Sequence, residues 1–201
     1  MATISLNEGD ALILVDVQND FLPGGALAVP RGDEVVPVLN AYIALFRDRG
    51  LPVYASRDWH PAGHCSFAAQ GGPWPPHCVA GTAGAAFSAA LALGDAAVTV
   101  SKAQGADQDA YSAFQGTGLA QALRGRGVSR VFIGGLATDY CVLHTMQDAL
   151  KENFWGMLLC DATRAVDVRP GDGDAAIQAM IAGGAQPVAL DTGHGQIRQL
   201  A

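Results

Sequence analysis

Short apolar runs alternate along the chain with stretches whose apolar positions recur at helical spacing. The runs are Ala11 to Val15, Pro52 to Ser56, Ala96 to Val100, Arg130 to Ile133, Gly156 to Cys160 and Pro187 to Leu190. Helix-like segments such as Val35 to Arg49, Gly118 to Arg126 and Asp174 to Gly183 lie between most of them. Near-continuous apolar runs predict strands buried on both faces, and the helices between them predict right-handed crossovers linking parallel strands. The expected fold class is α/β, a three-layer α/β/α sandwich with a mostly parallel six-stranded sheet. With 201 residues, half of them hydrophobic, and no internal repeat or linker, a single domain over residues 1–201 is expected. One long irregular stretch, Asp58 to Gly84, is rich in Gly, Pro and His, and such segments in a compact domain usually carry function.

The net charge of −7, with no basic stripe to offset it, argues against nucleic acid or an anionic membrane as partner. The first residues lack a basic region and a cleavage pattern, and the first apolar run ends at Asp16, too short to span a bilayer. A cytoplasmic location is therefore expected. In that reducing compartment the four scattered cysteines, Cys65, Cys78, Cys141 and Cys160, are expected to be thiols.

In an open parallel sheet, ligands bind beyond the carboxyl ends of the strands. Asp16 follows the first run, Asp58 and His60 the second, Lys102 the third and Cys141 the fourth, so four predicted strands deliver carboxylate, metal-type ligands, ammonium and thiol to one edge. The run Arg130 to Ile133 breaks at Gly134-Gly135 and turns into a helix from Val142 to Leu150. A thiol in the first turn of that helix feels the positive end of its dipole, which favours the thiolate. Asp16 lies in apolar sequence, where a carboxylate must be paired, hydrogen-bonded or protonated. It either caps a neighbouring loop or, beside a thiol, accepts a proton and later gives one to a leaving amine. Lys102 by position alone is as readily a solvated surface lysine; paired with Asp16 it stabilises both carboxylate and thiolate.

Asp58-Trp59-His60-Pro61-Ala62-Gly63-His64 and Trp74-Pro75-Pro76-His77 have the make-up of a site for one divalent metal ion, zinc, iron or manganese. Asp58 and His60 supply neighbouring ligands and His77 closes the site from a loop, leaving positions open for water. His64 is a further candidate, as a direct ligand, as a partner of metal-bound water or as a loop cap. A closed structural zinc site using Cys65 and Cys78 competes, although its spacing does not match Cys-x2-Cys knuckles. No organic cofactor is expected. His144 and His194 have no partners in sequence and are expected to be structural or solvent-facing.

The chain resembles nicotinamidases (nicotinamidase/pyrazinamidase) of the isochorismatase-like cysteine hydrolase superfamily. The resemblance is carried by Asp16-Val17-Gln18-Asn19-Asp20-Phe21, Asp58 to His64, Trp74-Pro75-Pro76-His77-Cys78, Lys102 with Asp109 to Phe114, and Gly135-Leu136-Ala137-Thr138-Asp139-Tyr140-Cys141-Val142, in order from about Ala11 to Asp167. It implies an isochorismatase-like fold and an amidohydrolase that converts nicotinamide to nicotinate and ammonia through a cysteine thioester, with pyrazinamide as a further substrate. It implies Cys141 as nucleophile, Asp16 as proton acceptor and donor, Lys102 as the cation between them, and the backbone N–H groups of Ala137 and Cys141 as oxyanion hole. It further implies a cis peptide bond at Leu136-Ala137, Phe21 and Trp74 around the pyridine ring with Leu136 and Ala137 beside it, and Asp58, His60 and His77 on the metal. The expected partner is thus a small molecule, and self-association into a homo-oligomer is left open. Two alternatives stand beside it: another isochorismatase-like cysteine hydrolase acting on a different amide, ureido or vinyl-ether substrate, and a noncatalytic metal- or ligand-binding module.

Overall fold

The apolar runs pair side by side into one sheet. A computed structural model describes residues 2–200. Its strands are β1 (Thr3–Ile4), β2 (Asp10–Val15), β3 (Val53–Asp58), β4 (Val98–Lys102), β5 (Arg130–Leu136), β6 (Trp155–Arg164), β7 (Gln186–Asp191) and β8 (Gln196–Gln199), in the order β1-β8-β7-β6-β5-β2-β3-β4. The six predicted runs are β2 to β7, all parallel to one another. Among the described residues the sheet nevertheless has eight strands rather than six. β8 folds back antiparallel on β7, and β1 pairs antiparallel with β8. Neither added strand carries an apolar run: β1 has two residues, and of β8 only Ile197 is buried.

Helices α1 (Val35–Arg47), α2 (Leu119–Gly125), α3 (Leu143–Lys151) and α4 (Asp172–Ala182) cover the sheet. Alternation along β2 explains the two cores. Leu12 and Leu14 point to the face covered by Leu39, Tyr42 and Phe46 of α1, whereas Ala11, Ile13 and Val15 point to the face holding Leu119, Leu123, Met146 and Met180 of the other helices. Each Leu, Ile, Val, Phe or Met side chain among these taken fully out of water stabilises the fold by about 1.5–3 kcal/mol. Pro37 is tolerated because it sits in the first turn of α1, where no intrahelical N–H is required. No helix among the described residues is long and apolar enough to cross a membrane.

β5 does not break at the paired glycines as the sequence predicts; it runs on through them to Leu136, with a register shift against β6 between Ile133 and Gly135. Gly135 has φ +127°, and a Cβ there would collide with the Val15 carbonyl oxygen. Glycine is therefore what lets the strand lie against β2 and swing its end toward the site. The irregular segment after β3 is longer than predicted and extends to residue 97. It is pinned by isolated bridges pairing Gln18 with Phe87, His60 with Val79 and Phe67 with Trp74.

Candidate active site

Because β5, β2, β3 and β4 are neighbours, their carboxyl ends lie side by side and so do the residues just beyond them. Asp16 comes immediately after β2 and adopts a left-handed backbone, φ 51°. Asp58 and Lys102 close β3 and β4 and are register partners. Cys141 lies in a single π-helical turn, Thr138–Val142, that links β5 to α3. All four residues are buried.

Lys102 Nζ is the hub. It donates to Asp58 Oδ1 at 2.6 Å, to the Ala110 carbonyl at 3.0 Å and to Cys141 Sγ at 3.5 Å. Asp16 Oδ2 stands 2.9 Å from the same nitrogen. Three N–H groups cannot align on four acceptors, and the Asp16 contact is an ion pair without hydrogen-bond alignment, so Oδ2 has no hydrogen-bond partner. The other oxygen, Oδ1, accepts from Ser56 Oγ at 2.6 Å. One ligand-type atom each from Asp16, Asp58 and Cys141 lies within 4.8 Å of the others. The lysine ammonium already occupies the centre of that acidic group.

Burial and the charges gathered around Lys102 compete in the titration of these groups. It raises the Asp16 pKa against the opposing pull of Lys102, and it pushes the Cys141 thiol well up, with Lys102 only partly offsetting it. Burial also disfavours charged Lys102, but Asp16 and then Asp58 outweigh it and hold the ammonium well above its usual range. Asp58 is likewise desolvated, yet Lys102 and His60 keep it below the usual carboxylate range. The helix-start preference for a thiolate is thus opposed by desolvation, which pushes the Cys141 thiol up, with Lys102 pulling the other way.

Asp58, His60 and His77 form a second buried group, with one ligand-type atom from each within 4.8 Å of the others. Their remaining polar atoms are spoken for in the manner of metal ligands. His60 Nδ1 is 3.2 Å from the Ala103 carbonyl, and its Nε2 is buried without a hydrogen-bond partner, 3.6 Å from Asp58 Oδ2. His77 Nδ1 is held by the Pro75 carbonyl at 2.8 Å, which leaves Nε2 free to ligate. An orphaned ring nitrogen beside a carboxylate and a second imidazole fits a divalent ion with open positions. His64 is arranged differently. Its Nδ1 is 2.7 Å from Ser66 Oγ and its Nε2 3.1 Å from the Gln108 carbonyl, so both nitrogens are engaged while the ring stacks on His60. Cys65 and Cys78 do not join the cluster, and all four cysteines are free thiols.

A cavity is lined by Phe21, Trp74 and Ala137 together with Cys141, Asp58 and His77, so it reaches both groups. Leu136 is not among its lining residues: its side chain is fully buried in the α1-side core, and the cis peptide bond to Ala137 comes directly after it. Tyr111, Tyr140, Leu27, Val29 and Val166 complete the walls and were not foreseen as lining residues. Tyr111 OH accepts from Trp74 Nε1 at 3.0 Å and its ring stacks on His144, which explains why that half-buried histidine sits there. His194 is exposed and pairs with Asp191 at 3.0 Å. Buried Gln18 is a further unforeseen support: it accepts the Asp58 N–H and donates to the carbonyls of Asp58 and Ala85. Its signal in sequence is its place in the Asp16-Val17-Gln18-Asn19-Asp20-Phe21 motif. The 103–110 loop folds against the back of the site, its carbonyls at Ala103, Gln108 and Ala110 meeting His60, His64 and Lys102.

The isochorismatase domain profile matches residues 10–192. The chain belongs to the isochorismatase family. Among isochorismatase relatives, the nicotinamidase of Escherichia coli (strain K12) is 41% identical over 87% of this chain and 92% of its own. The solved pyrazinamidase of Pyrococcus horikoshii in complex with zinc superposes with a TM-score of 0.87 at 49% identity, covering 90% of this chain and 99% of the other. The PnC1 of L. infantum in complex with nicotinate superposes with a TM-score of 0.86 at 38% identity, covering 94% and 96%.

Proposed function

We propose that this chain is a nicotinamidase of single-domain build that hydrolyses nicotinamide to nicotinate and ammonia and takes pyrazinamide as well. The observation that carries the reading is the single Lys102 ammonium shared by Asp16, Cys141 and Asp58, because it joins a nucleophile with its proton acceptor to the metal-type cluster at one aromatic cavity. The likeness to a nicotinamidase and to a structure holding nicotinate supports it. Asp58, His60 and His77 would hold one divalent ion, zinc as in the P. horikoshii relative or iron or manganese on the same donor set. When bound, that ion supplies a fixed Lewis-acidic anchor for the pyridine nitrogen.

The chain's own residues then perform the reaction. Phe21 and Trp74 hold the flat ring in the apolar slot. As Cys141 Sγ attacks the carboxamide carbon, its proton passes to Asp16, whose Oδ2 has no competing hydrogen bond. The backbone N–H groups of Ala137 and Cys141 receive the oxyanion. Asp16 gives the proton to the amide nitrogen, the C–N bond breaks, and ammonia leaves a nicotinoyl thioester. Water then loses a proton to Asp16 and attacks the acyl carbon; the C–S bond breaks, Asp16 returns the proton to sulfur, and the released acid loses its remaining proton to solvent as nicotinate. Lys102 keeps its charge throughout and stabilises each anionic partner in turn.

Another cysteine hydrolase of the family would have no use for the orphaned His60 nitrogen, and a noncatalytic module none for the Asp16–Lys102 pair. Free thiols suit the cytoplasmic setting this reading implies. Ammonia release from nicotinamide measured against isochorismate, with metal analysis of the same sample, tests the proposal. Faster turnover of isochorismate, or full activity in metal-stripped protein, would overturn it.

A further inference from the structure

The turn that carries Cys141 is fastened to a wall of the cavity. Both carboxylate oxygens of Asp139 accept backbone N–H groups from the segment after β6, Oδ1 from Val166 and Oδ2 from Asp167, each at 2.9 Å. Val166 lines the cavity with Cys141, so one side chain ties the nucleophile's turn to an apolar wall. The clasp continues outward. Asp167 has φ 52°, and its Oδ1 accepts the Gly173 N–H in the first turn of α4 at 2.8 Å. At Gly173 a Cβ would lie 2.5 Å from that of Ala165, so the segment is pressed against the helix. A second tie runs beside the first, between the Thr138 and Thr163 hydroxyls at 2.7 Å.

Two hydrogen bonds to one charged acceptor are stronger than neutral ones and fix direction as well as distance. We propose that Asp139 is a positioning residue that sets the width of the slot: it holds the Val166 wall at a fixed separation from the Cys141 sulfur and thereby selects flat ring amides over bulkier ones. This rests on the activity proposed above. Asp139 touches neither sulfur nor metal ligands, and its effect on the reaction passes through Val166.

The test compares alkylation of Cys141 by N-phenylmaleimide and by iodoacetamide, read on the Cys141 peptide by mass spectrometry, in the wild type, Asp139→Ala, Val166→Ala and the double variant. Asp139→Ala is expected to raise the maleimide-to-iodoacetamide rate ratio about tenfold, Val166→Ala similarly, and the double variant no further than the larger single. Asp139→Asn, which keeps one acceptor oxygen, falls between, and it decides the matter should the alanine variant fail to fold. With nicotinamide, KM rises about tenfold in Asp139→Ala while kcat falls less than about threefold. An unchanged ratio in the Asp139 variants, or effects that multiply in the double variant, overturns the proposal. Alkylation needs no turnover, so a wild-type protein inert toward nicotinamide sinks the proposed activity and leaves the clasp to be judged on the ratio.

Discussion

Asp58 and Lys102 face each other as register partners at the ends of adjacent parallel strands, and their side chains meet at 2.6 Å. The pair joins the two halves of the site, since Asp58 is shared between the lysine and the histidine cluster. The pairing of β3 with β4 brings the two residues side by side, and the contacts of Lys102 with Asp16, Ala110 and Cys141 hold its ammonium there.

Replacing Lys102 by Met keeps the stem and removes the charge, leaving Asp16 and Asp58 buried without their cation. Breaking a buried ion network from one side costs about 3–5 kcal/mol. The variant is therefore expected to unfold at lower urea, to lose measurable turnover, and to show Asp16 protonated at neutral pH. Equilibrium unfolding and carboxyl-stretch infrared spectra check this; wild-type stability would mean that the ammonium is not what compensates the two carboxylates.

Cys141→Ala removes the sulfur and nothing else that touches the metal-type cluster, whose histidines are held by backbone carbonyls. Turnover should fall by at least about 10⁴-fold, while nicotinamide affinity by calorimetry and bound metal per chain stay at wild-type levels. Near-normal turnover would move the nucleophile away from sulfur.

Gly135→Ala places a methyl group against the Val15 carbonyl at a φ of +127°. Strain and displacement of β5 from β2 together should cost more than about 3 kcal/mol, seen as a lowered melting temperature or loss of soluble protein. Gly50→Ala is the control: its φ is also left-handed, but nothing lies within 4 Å of its Cβ position, so its loss should be near 1 kcal/mol.

Most of the scaffold and the site's chemistry was legible because both are written in local pattern. Strands buried on both faces leave apolar runs, and a parallel sheet brings the residues at the carboxyl end of each run to one edge, so Asp16, Asp58, Lys102 and Cys141 could be placed before any distance was known. β1 and β8 were invisible for the converse reason: strands held mainly by backbone pairing at an edge need no apolar run. The role of Gly135 was also hidden, since a glycine that permits close strand approach and one that ends a strand look alike in sequence. The walls at Tyr111, Tyr140 and Val166, and the engagement of both His64 nitrogens, depend on how distant loops fold against each other, which no spacing encodes. The desolvation that opposes a Cys141 thiolate was hidden for a related reason, since helix position is local whereas burial is a property of the assembled core.

Glu34 links this core to its rim. Its carboxylate takes Arg31 from its own loop and Arg164 from the end of β6, at 2.8 Å and 2.9 Å. Those hydrogen bonds, Arg31's first and Arg164's second, lower its pKa to about 2 from an ordinary 4.5. A depressed carboxylate pKa means that the folded state binds the proton less readily than the unfolded chain, so the contribution is present above about pH 4.5 and is lost as pH falls toward about 2. The melting-temperature difference between wild type and Glu34→Gln should accordingly be constant from pH 7 to 5, narrow below pH 4.5, and shrink with added salt because the group is exposed. Thermal melts of both proteins across that range check the sign. A difference that grows on acidification would mean that Glu34 is held for reasons other than its two arginines.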